Sequence, residues 1–158
     1  QLQFETRTVS LGQLAEHAVG IFSAEATEKN ISLHLENNAP DAQIKADPQR
    51  TEQVIGNLIS NALRYVPKGG DVRVVVEEND KALSLHVIDN GPGVPAEDLP
   101  HLFQRFWRGE KSRSRASGGA GLGLAIASQL VEAQGGSIKA ENLKEGGLRV
   151  SVSFSRIM

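Results

Sequence analysis

Apolar residues recur at helical spacing in three segments of the chain, residues 10–28, 48–65 and 122–133. The first segment begins at Ser10, which is placed to cap the free amides of the first turn. The second follows Asp47 and opens with a proline. An aspartate caps a helix well, and proline suits the first helical position because its missing N–H has no partner there. These patterns predict three helices, and the second and third are followed by glycine-rich turns that end them.

Alternating apolar and polar residues mark the segments between these helices. Residues 31–35 alternate strictly, residues 72–76 less cleanly, and residues 83–88 alternate before they become apolar at their end. Two further strands are expected around residues 137–141 and 148–154. The segment 83–88 leads directly into a glycine-rich turn, so the end of this strand is a candidate functional site.

Composition favours one compact domain. The chain has 158 residues, of which 39% are hydrophobic and 4% aromatic, enough for a single aliphatic core. The absence of cysteine excludes a disulfide scaffold, a thiolate zinc site and a cysteine nucleophile. No apolar run approaches the roughly 20 residues that span a bilayer, and the first residues lack the pattern of a signal peptide, so we expect a soluble chain. A net charge of −2 argues against broad nucleic-acid binding, and the basic stretch 105–115 fits a local phosphate partner.

The predicted helix 48–65 carries an apolar stripe and a polar border. Asparagine is a poor helix former, so Asn57 and Asn61, one turn apart, lower the stability of the helix and indicate a functional role. The alternative is that both asparagines lie on an exposed, solvated flank. The border that would line a cleft consists of Gln53, Asn57, Asn61, Arg64 and Tyr65.

The turn at residues 89–94 has the sequence Asp-Asn-Gly-Pro-Gly-Val. An aspartate at the end of an apolar strand would be partly buried and would need hydrogen-bond donors, which an adenine amino group can provide. The glycines would let a flat ring approach the backbone. An ordinary loop, in which the glycines supply positive φ, is an equally good interpretation of this turn alone.

Serine and glycine in residues 117–123 lead straight into the third predicted helix. Such a junction presents unpaired amides and the positive end of the helix dipole, which favours an anion. The lysine and hydroxyl of a Walker loop are absent, and the glycine spacing is wrong for a dinucleotide fingerprint. The alternative is a flexible linker.

Taken together, these motifs resemble the catalytic and ATP-binding domain of bacterial sensor histidine kinases, in the superfamily shared with DNA gyrase, a heat-shock chaperone class and a mismatch-repair ATPase. The resemblance covers residues 9–155 and rests on an N box at 53–65, glycine boxes at 89–94 and 119–123, and a phenylalanine box at 102–108. It implies an α/β two-layer sandwich of the Bergerat type. In that fold a mixed sheet of about five strands packs against three helices, and a lid covers the ATP.

The resemblance also implies roles for single residues. Asn61 would coordinate magnesium, Asn57 and Arg64 would face the phosphates, and Asp89 would bind the adenine amino group. The loop 108–118 would form the lid, and Asn57, Arg64 and Arg108 would be the catalytic residues. The implied nucleotide contacts are Asn57, Asn61, Arg64, Tyr65, Asp89, Gly91, Gly93, Val94, Arg108, Gly119, Gly121, Leu122, Gly123 and Leu124.

The implied function is transfer of the γ-phosphate of Mg-ATP to a histidine in two-component signalling. None of the four histidines is followed by the acidic residue typical of the phosphoacceptor, so the acceptor is expected on a separate dimerisation domain preceding residue 1. Residues 1–8 would then end a linker, and residues 9–158 would form the catalytic domain, which also binds ADP. This domain is expected to be monomeric and cytoplasmic, with no nucleic-acid or membrane contact. Its parent could be an inner-membrane sensor that acts on a response regulator.

Asn57 stands where ATP-hydrolysing relatives have a glutamate that activates water, and an amide has no useful basicity near neutral pH. Slow hydrolysis is therefore expected, with phosphoryl transfer resting on positioning and charge neutralisation. Two alternatives stay open. One is a serine kinase that acts on an anti-anti-sigma protein, and the other is a non-catalytic nucleotide-sensing module.

Overall fold

A computed structural model describes residues 3–104 and 123–157 of the protein. Within these residues no helix is long and apolar enough to cross a membrane. The helices are α1 (Leu11–Glu28), α2 (Pro48–Tyr65) and α3 (Gly123–Ala133), with a short 3-10 helix at Ala96–His101. The strands are β1 (Arg7–Ser10), β2 (Ser32–Asn37), β3 (Gln43–Ala46), β4 (Asp71–Glu78), β5 (Ala82–Asp89), β6 (Ser137–Asn142) and β7 (Leu148–Ser155).

Five strands form the main sheet in the order β2-β4-β5-β7-β6. The pair β2–β4 is parallel and the other three pairs are antiparallel, so the sheet is mixed, as predicted. The helices lie against one face in a layer with α2 between α1 and α3. The two-layer α/β sandwich of five strands and three helices is thereby confirmed.

A second, two-stranded sheet was not expected from the sequence. Strands β1 and β3 pair antiparallel, with Arg7 opposite Ala46 and Ser10 opposite Gln43. Each strand has only four residues, which is too short for alternation to show. This small sheet attaches the first described residues to the segment that precedes α2.

The core lies between the main sheet and the helices. In β5 every second residue is buried, including Leu83, Leu85 and Val87, because alternate side chains of a strand point to opposite faces. The predicted apolar stripe of α2 meets this face, and its Ile55 and Leu58 are almost completely buried. Burial of one such side chain contributes about 1.5–3 kcal/mol, so this interface holds α2 and its polar border in place.

The opposite face of the sheet carries paired polar side chains. His86 in β5 contacts the Ser151 hydroxyl at 2.6 Å through Nδ1 and the Glu77 carboxylate at 2.9 Å through Nε2. In β2, His34 contacts Asp71 at 3.0 Å. These two histidines thus lie at strand positions on the face away from the helices.

Asp47 connects three parts of the chain at the start of α2. Its carboxylate accepts the N–H of Arg50 at 3.0 Å, as a helix cap, and the N–H of Glu5 at 2.8 Å. Its own N–H donates to the side-chain oxygen of Gln134, just beyond α3, at 2.7 Å. Burial opposes ionisation of Asp47, but hydrogen bonds from the amides of Arg50, Glu5 and Gln49 and the charge of Arg50 outweigh it and lower the pKa of this carboxyl group.

Candidate nucleotide-binding site

The polar border of α2 lies where the sequence predicts it. Asn57, Asn61 and Tyr65 are half-buried at successive turns of the helix, and Arg64 is exposed. Next to this border, α3 begins at Gly123, and the side-chain amide of Asn57 donates to the carbonyl oxygen of Gly123 at 3.1 Å. The α2 border and the start of α3 therefore lie together, although 66 residues separate the two positions in the chain.

Asp89 ends β5 with its side chain buried, only 7% exposed. Its Oδ1 accepts two backbone N–H groups, from Gly91 at 2.9 Å and from Leu148 at 3.2 Å. An ionised carboxylate accepts through both of its oxygens, and these two bonds fix its orientation through one of them. The sequence predicts a partly buried aspartate at this strand end, and the structure buries it more fully than that.

The glycine turn packs against the end of α2. A side chain at Gly91 would place its Cβ 3.5 Å from the carbonyl oxygen of Tyr65 and 3.6 Å from the Cα of Val66. Gly91 is itself buried. The end of α2 and the turn after β5 are therefore neighbours.

The far end of the turn is held by a residue that the sequence analysis did not single out. Asn142 accepts the N–H of Val94 at 3.0 Å and donates to the carbonyl oxygen of Val94 at 2.7 Å. Gly93 has a φ of 72°, and a Cβ there would lie 2.6 Å from Oδ1 of Asn142. Because 48 residues separate Asn142 from Val94, no local pattern could have indicated this contact.

The remaining predicted contacts divide into two groups. Val94 and Leu124 have buried side chains that belong to the core, and both backbone polar groups of Val94 are bonded to Asn142. Gly123 is half-buried at the first turn of α3. The predicted lid, and with it Arg108, Gly119, Gly121 and Leu122, lies outside the described residues.

The described residues offer few of the oxygen ligands that a magnesium ion needs. Residues 3–104 and 123–157 contain no group of three or more His, Cys, Asp or Glu side chains that could hold a metal ion. Asn61 offers one amide oxygen at the cleft, a hard donor of the kind that magnesium accepts. Magnesium usually keeps several waters and binds phosphate oxygens with one or two protein ligands, so the residues present fit a metal carried mainly by a nucleotide.

A mixed sheet covered on one face by three helices, with an asparagine-bearing central helix beside a buried aspartate, defines an ATP-binding domain. The chain belongs to the family of histidine kinase-, DNA gyrase B- and HSP90-like ATPases, whose sequence profile matches residues 46–157.

Similar proteins are sensor histidine kinases. The signal transduction histidine-protein kinase BaeS of Escherichia coli strain K12 is 38% identical over 154 residues, which is 97% of this chain and 32% of BaeS. The nucleotide-free catalytic domain of histidine kinase ThkA superposes with a TM-score of 0.85 at 26% identity, covering 96% of both chains. Full-length ShkA, solved with AMPPNP, gives a TM-score of 0.83 at 27% identity over 97% of this chain and 31% of ShkA. ThkA has also been solved with the response regulator protein TrrA. The chain thus spans about a third of the length of BaeS.

Proposed function

We propose that this domain binds Mg-ATP and transfers its γ-phosphoryl group to a histidine on a separate dimerisation domain of the same parent protein. The observation that carries the proposal is that α2 contacts both other parts of the candidate site, the start of α3 through Asn57 and the Asp89 turn through Tyr65 and Val66. The kinship with sensor histidine kinases supports the same reading. A response regulator is the proposed downstream partner, and the proposed location is the cytoplasm, under a sensor that could be membrane-anchored.

Base recognition is assigned to Asp89. The amides of Gly91 and Leu148 hold its carboxylate at the cleft in one orientation, which suits it to accept an N–H from the adenine amino group. Gly91 carries no side chain, so it adds no bulk beside the carboxylate of Asp89. Tyr65, half-buried at the end of α2, is proposed to pack against the nucleotide.

Phosphate binding is assigned to the other half of the cleft. Arg64 is exposed on α2 and can place its cationic guanidinium near the phosphates. The backbone amides of Gly123 and Leu124 lie at the first turn of α3, where free N–H groups and the helix dipole favour an anion. Arg108, Gly119, Gly121 and Leu122 are proposed to complete this set. Asn61 would hold the magnesium ion, which neutralises developing charge on the phosphate oxygens when bound.

The proposed transfer breaks the bond between the γ-phosphorus and the β–γ bridging oxygen and forms a bond from that phosphorus to an imidazole nitrogen. ADP leaves with the bridging oxygen. The acceptor ring attacks through its unprotonated nitrogen and afterwards releases the proton of the other nitrogen to solvent. This domain supplies positioning and charge, since Asn57 has no basicity with which to activate water. Its own His34 and His86 lie on the sheet face opposite the helices, and the acceptor is proposed to be a histidine of the dimerisation domain.

The test incubates the chain with γ-labelled ATP, with and without the histidine-bearing dimerisation domain, and follows phosphate that is labile in acid and stable in base. Label on the partner's histidine is expected, together with little self-labelling and little free phosphate. Label on a serine would instead support the kinase that acts on an anti-anti-sigma protein. Nucleotide binding without any transfer would support a sensing module, and both of these results contradict the proposal.

A further inference from the structure

The β6–β7 hairpin, residues 137–155, touches the 89–94 turn at both of its ends. At the start of the turn, the N–H of Leu148 donates to the carboxylate of Asp89 at 3.2 Å. At the end, Asn142 makes its two hydrogen bonds to the backbone of Val94. Strand β6 is not a neighbour of β5 in the sheet, because β7 lies between them, so the contact of Asn142 with Val94 reaches beyond the sheet's own ladder.

Residues 143–147 join Asn142 to Leu148 in a short loop that is closed by its own backbone hydrogen bonds. The N–H of Leu143 donates to the carbonyl oxygen of Gly147 at 3.0 Å, and the N–H of Gly146 donates to the carbonyl oxygen of Leu143 at 3.0 Å. Gly147 has a φ of 106° and packs directly on the backbone of Asp89, where a Cβ would collide with the Asp89 carbonyl. A displacement of Asn142 is therefore transmitted to both ends of the turn.

The side chain of Asn142 matches a peptide group. Its oxygen accepts from the N–H of Val94 and its nitrogen donates to the carbonyl oxygen of the same residue, as a neighbouring strand would do. Alanine at this position would leave both backbone groups of Val94 without these partners. Partly buried backbone groups without hydrogen-bond partners raise the free energy of the folded state, so the end of the turn would rearrange.

We infer that Asn142 is a positioning residue for base recognition, which holds the 89–94 turn in the shape that lets Asp89 read the adenine ring. The inference rests on the proposed function of Asp89. Asn142 acts through the backbone of Val94 and does not itself touch the nucleotide. Loss of Asn142 should therefore weaken the preference for adenine while the phosphate half of the cleft, on α2 and α3, keeps its geometry.

The chain offers a matched control at the other end of β5. Asn79 likewise makes two side-chain hydrogen bonds to the backbone: its oxygen accepts the N–H groups of Lys81 and Ala82, each at 2.9 Å, in the turn between β4 and β5. Asn79→Ala removes a comparable set of turn hydrogen bonds from the end of the strand that is remote from Asp89. A merely structural role for Asn142 would give the two variants the same phenotype.

The experiment measures the dissociation constants of ATP and GTP by calorimetry, with KM and kcat for transfer to the dimerisation domain. Asn142→Ala is expected to raise the dissociation constant and KM for ATP about tenfold, the size of one or two lost net hydrogen bonds, with kcat nearly unchanged. The ratio of GTP to ATP dissociation constants should fall. Asn79→Ala should leave all of these values as in the unaltered chain, even where its melting temperature drops.

Asn142→Asp serves as a second variant if the alanine variant is poorly folded. It keeps the acceptor for the Val94 N–H but turns a carboxylate oxygen toward the Val94 carbonyl, so ATP binding should weaken in the same direction. An unchanged GTP-to-ATP ratio in both variants, or an equal effect of Asn79→Ala, overturns the role of Asn142. A lack of adenine preference in the unaltered chain would instead count against the proposed role of Asp89.

Discussion

The side-chain amide of Asn57 donates to the carbonyl oxygen of Gly123 at 3.1 Å and so ties the middle of α2 to the first residue of α3. Near the other end of α3, the side-chain amide of Gln134 donates to the Thr51 hydroxyl of α2 at 3.5 Å. The two bonds hold α2 and α3 side by side.

Replacing Asn57 with alanine should loosen the first turn of α3 and weaken nucleotide binding several-fold, because a net hydrogen bond of about 0.5–1.5 kcal/mol is lost. Hydrogen exchange measured with mass spectrometry should become faster in residues 123–127, and calorimetry should report the affinity. Gln129→Ala, at an exposed position of α3, is the control. Unaltered exchange in this turn would show that the bond does not hold α3.

Asp89→Asn should weaken ATP binding by about 1–3 kcal/mol, or roughly 5- to 150-fold. If the amide oxygen continues to accept from Gly91 and Leu148, the amide nitrogen must face the adenine amino group, which sets two donors against each other. Calorimetry with ATP and GTP measures the effect, and Asp80→Asn, in the exposed turn before β5, is the charge-matched control. Equal affinity of the unaltered chain for ATP and GTP would refute the assignment.

Asn61→Ala should abolish phosphoryl transfer more completely than it weakens binding, since the proposed metal matters most where phosphate charge is redistributed. Transfer is followed at saturating Mg-ATP. Binding of ADP in the presence of a chelator provides the control, because there the variant and the unaltered chain should have the same affinity. Equal transfer rates in the two proteins would reject a metal ligand at this position.

Asp47 should make the free energy of unfolding sensitive to acid. Its pKa is lowered in the folded chain, so its stabilising effect is present above the unfolded pKa of about 3.9 and is lost as the pH falls through the folded value. Asp47→Asn keeps a good helix cap but cannot titrate. Urea unfolding between about pH 2.5 and 6 should show the stability advantage of the unaltered chain over this variant shrinking toward low pH.

Asp41→Asn, at an exposed position, controls for the loss of one negative charge in that series. The stability difference for Asp41→Asn should stay smaller and flatter than that for Asp47→Asn. A constant difference between the unaltered chain and Asp47→Asn at every pH would contradict the role of Asp47 ionisation.

Local sequence signals were enough to predict the elements that have strong ends. The bounds of α2, Pro48 to Tyr65, follow from the aspartate cap, the proline and the glycine turn, and α1 begins directly after its predicted cap Ser10. Strand β5 and its buried Asp89 were likewise expected from alternation that ends in a polar residue. In each case the deciding residues lie within a few positions of one another.

Long-range partners could not be predicted in this way. The pairing of β1 with β3 joins two four-residue segments that are too short to be identified as strands, and the contact of Asn142 with Val94 depends on the order of strands in the sheet. The amide of Leu148 reaches Asp89 across 59 residues for the same reason. Such contacts appear only when the whole sheet is assembled.

The position of the last strand has a consequence for how the domain is completed during synthesis. Strand β7 is the final element of the chain, yet it lies inside the sheet, between β5 and β6. A growing chain whose residues 148–155 are still inside the ribosome lacks strand β7, one of the two partners of β5. It also lacks the amide of Leu148 that bonds to Asp89. Because Leu148 follows Asp89 by 59 residues, this carboxylate acquires the Leu148 amide only after β7 has been synthesised. Ribosome-bound and truncated chains of this domain should therefore be poor nucleotide binders even where α1, α2 and β2 to β5 have formed.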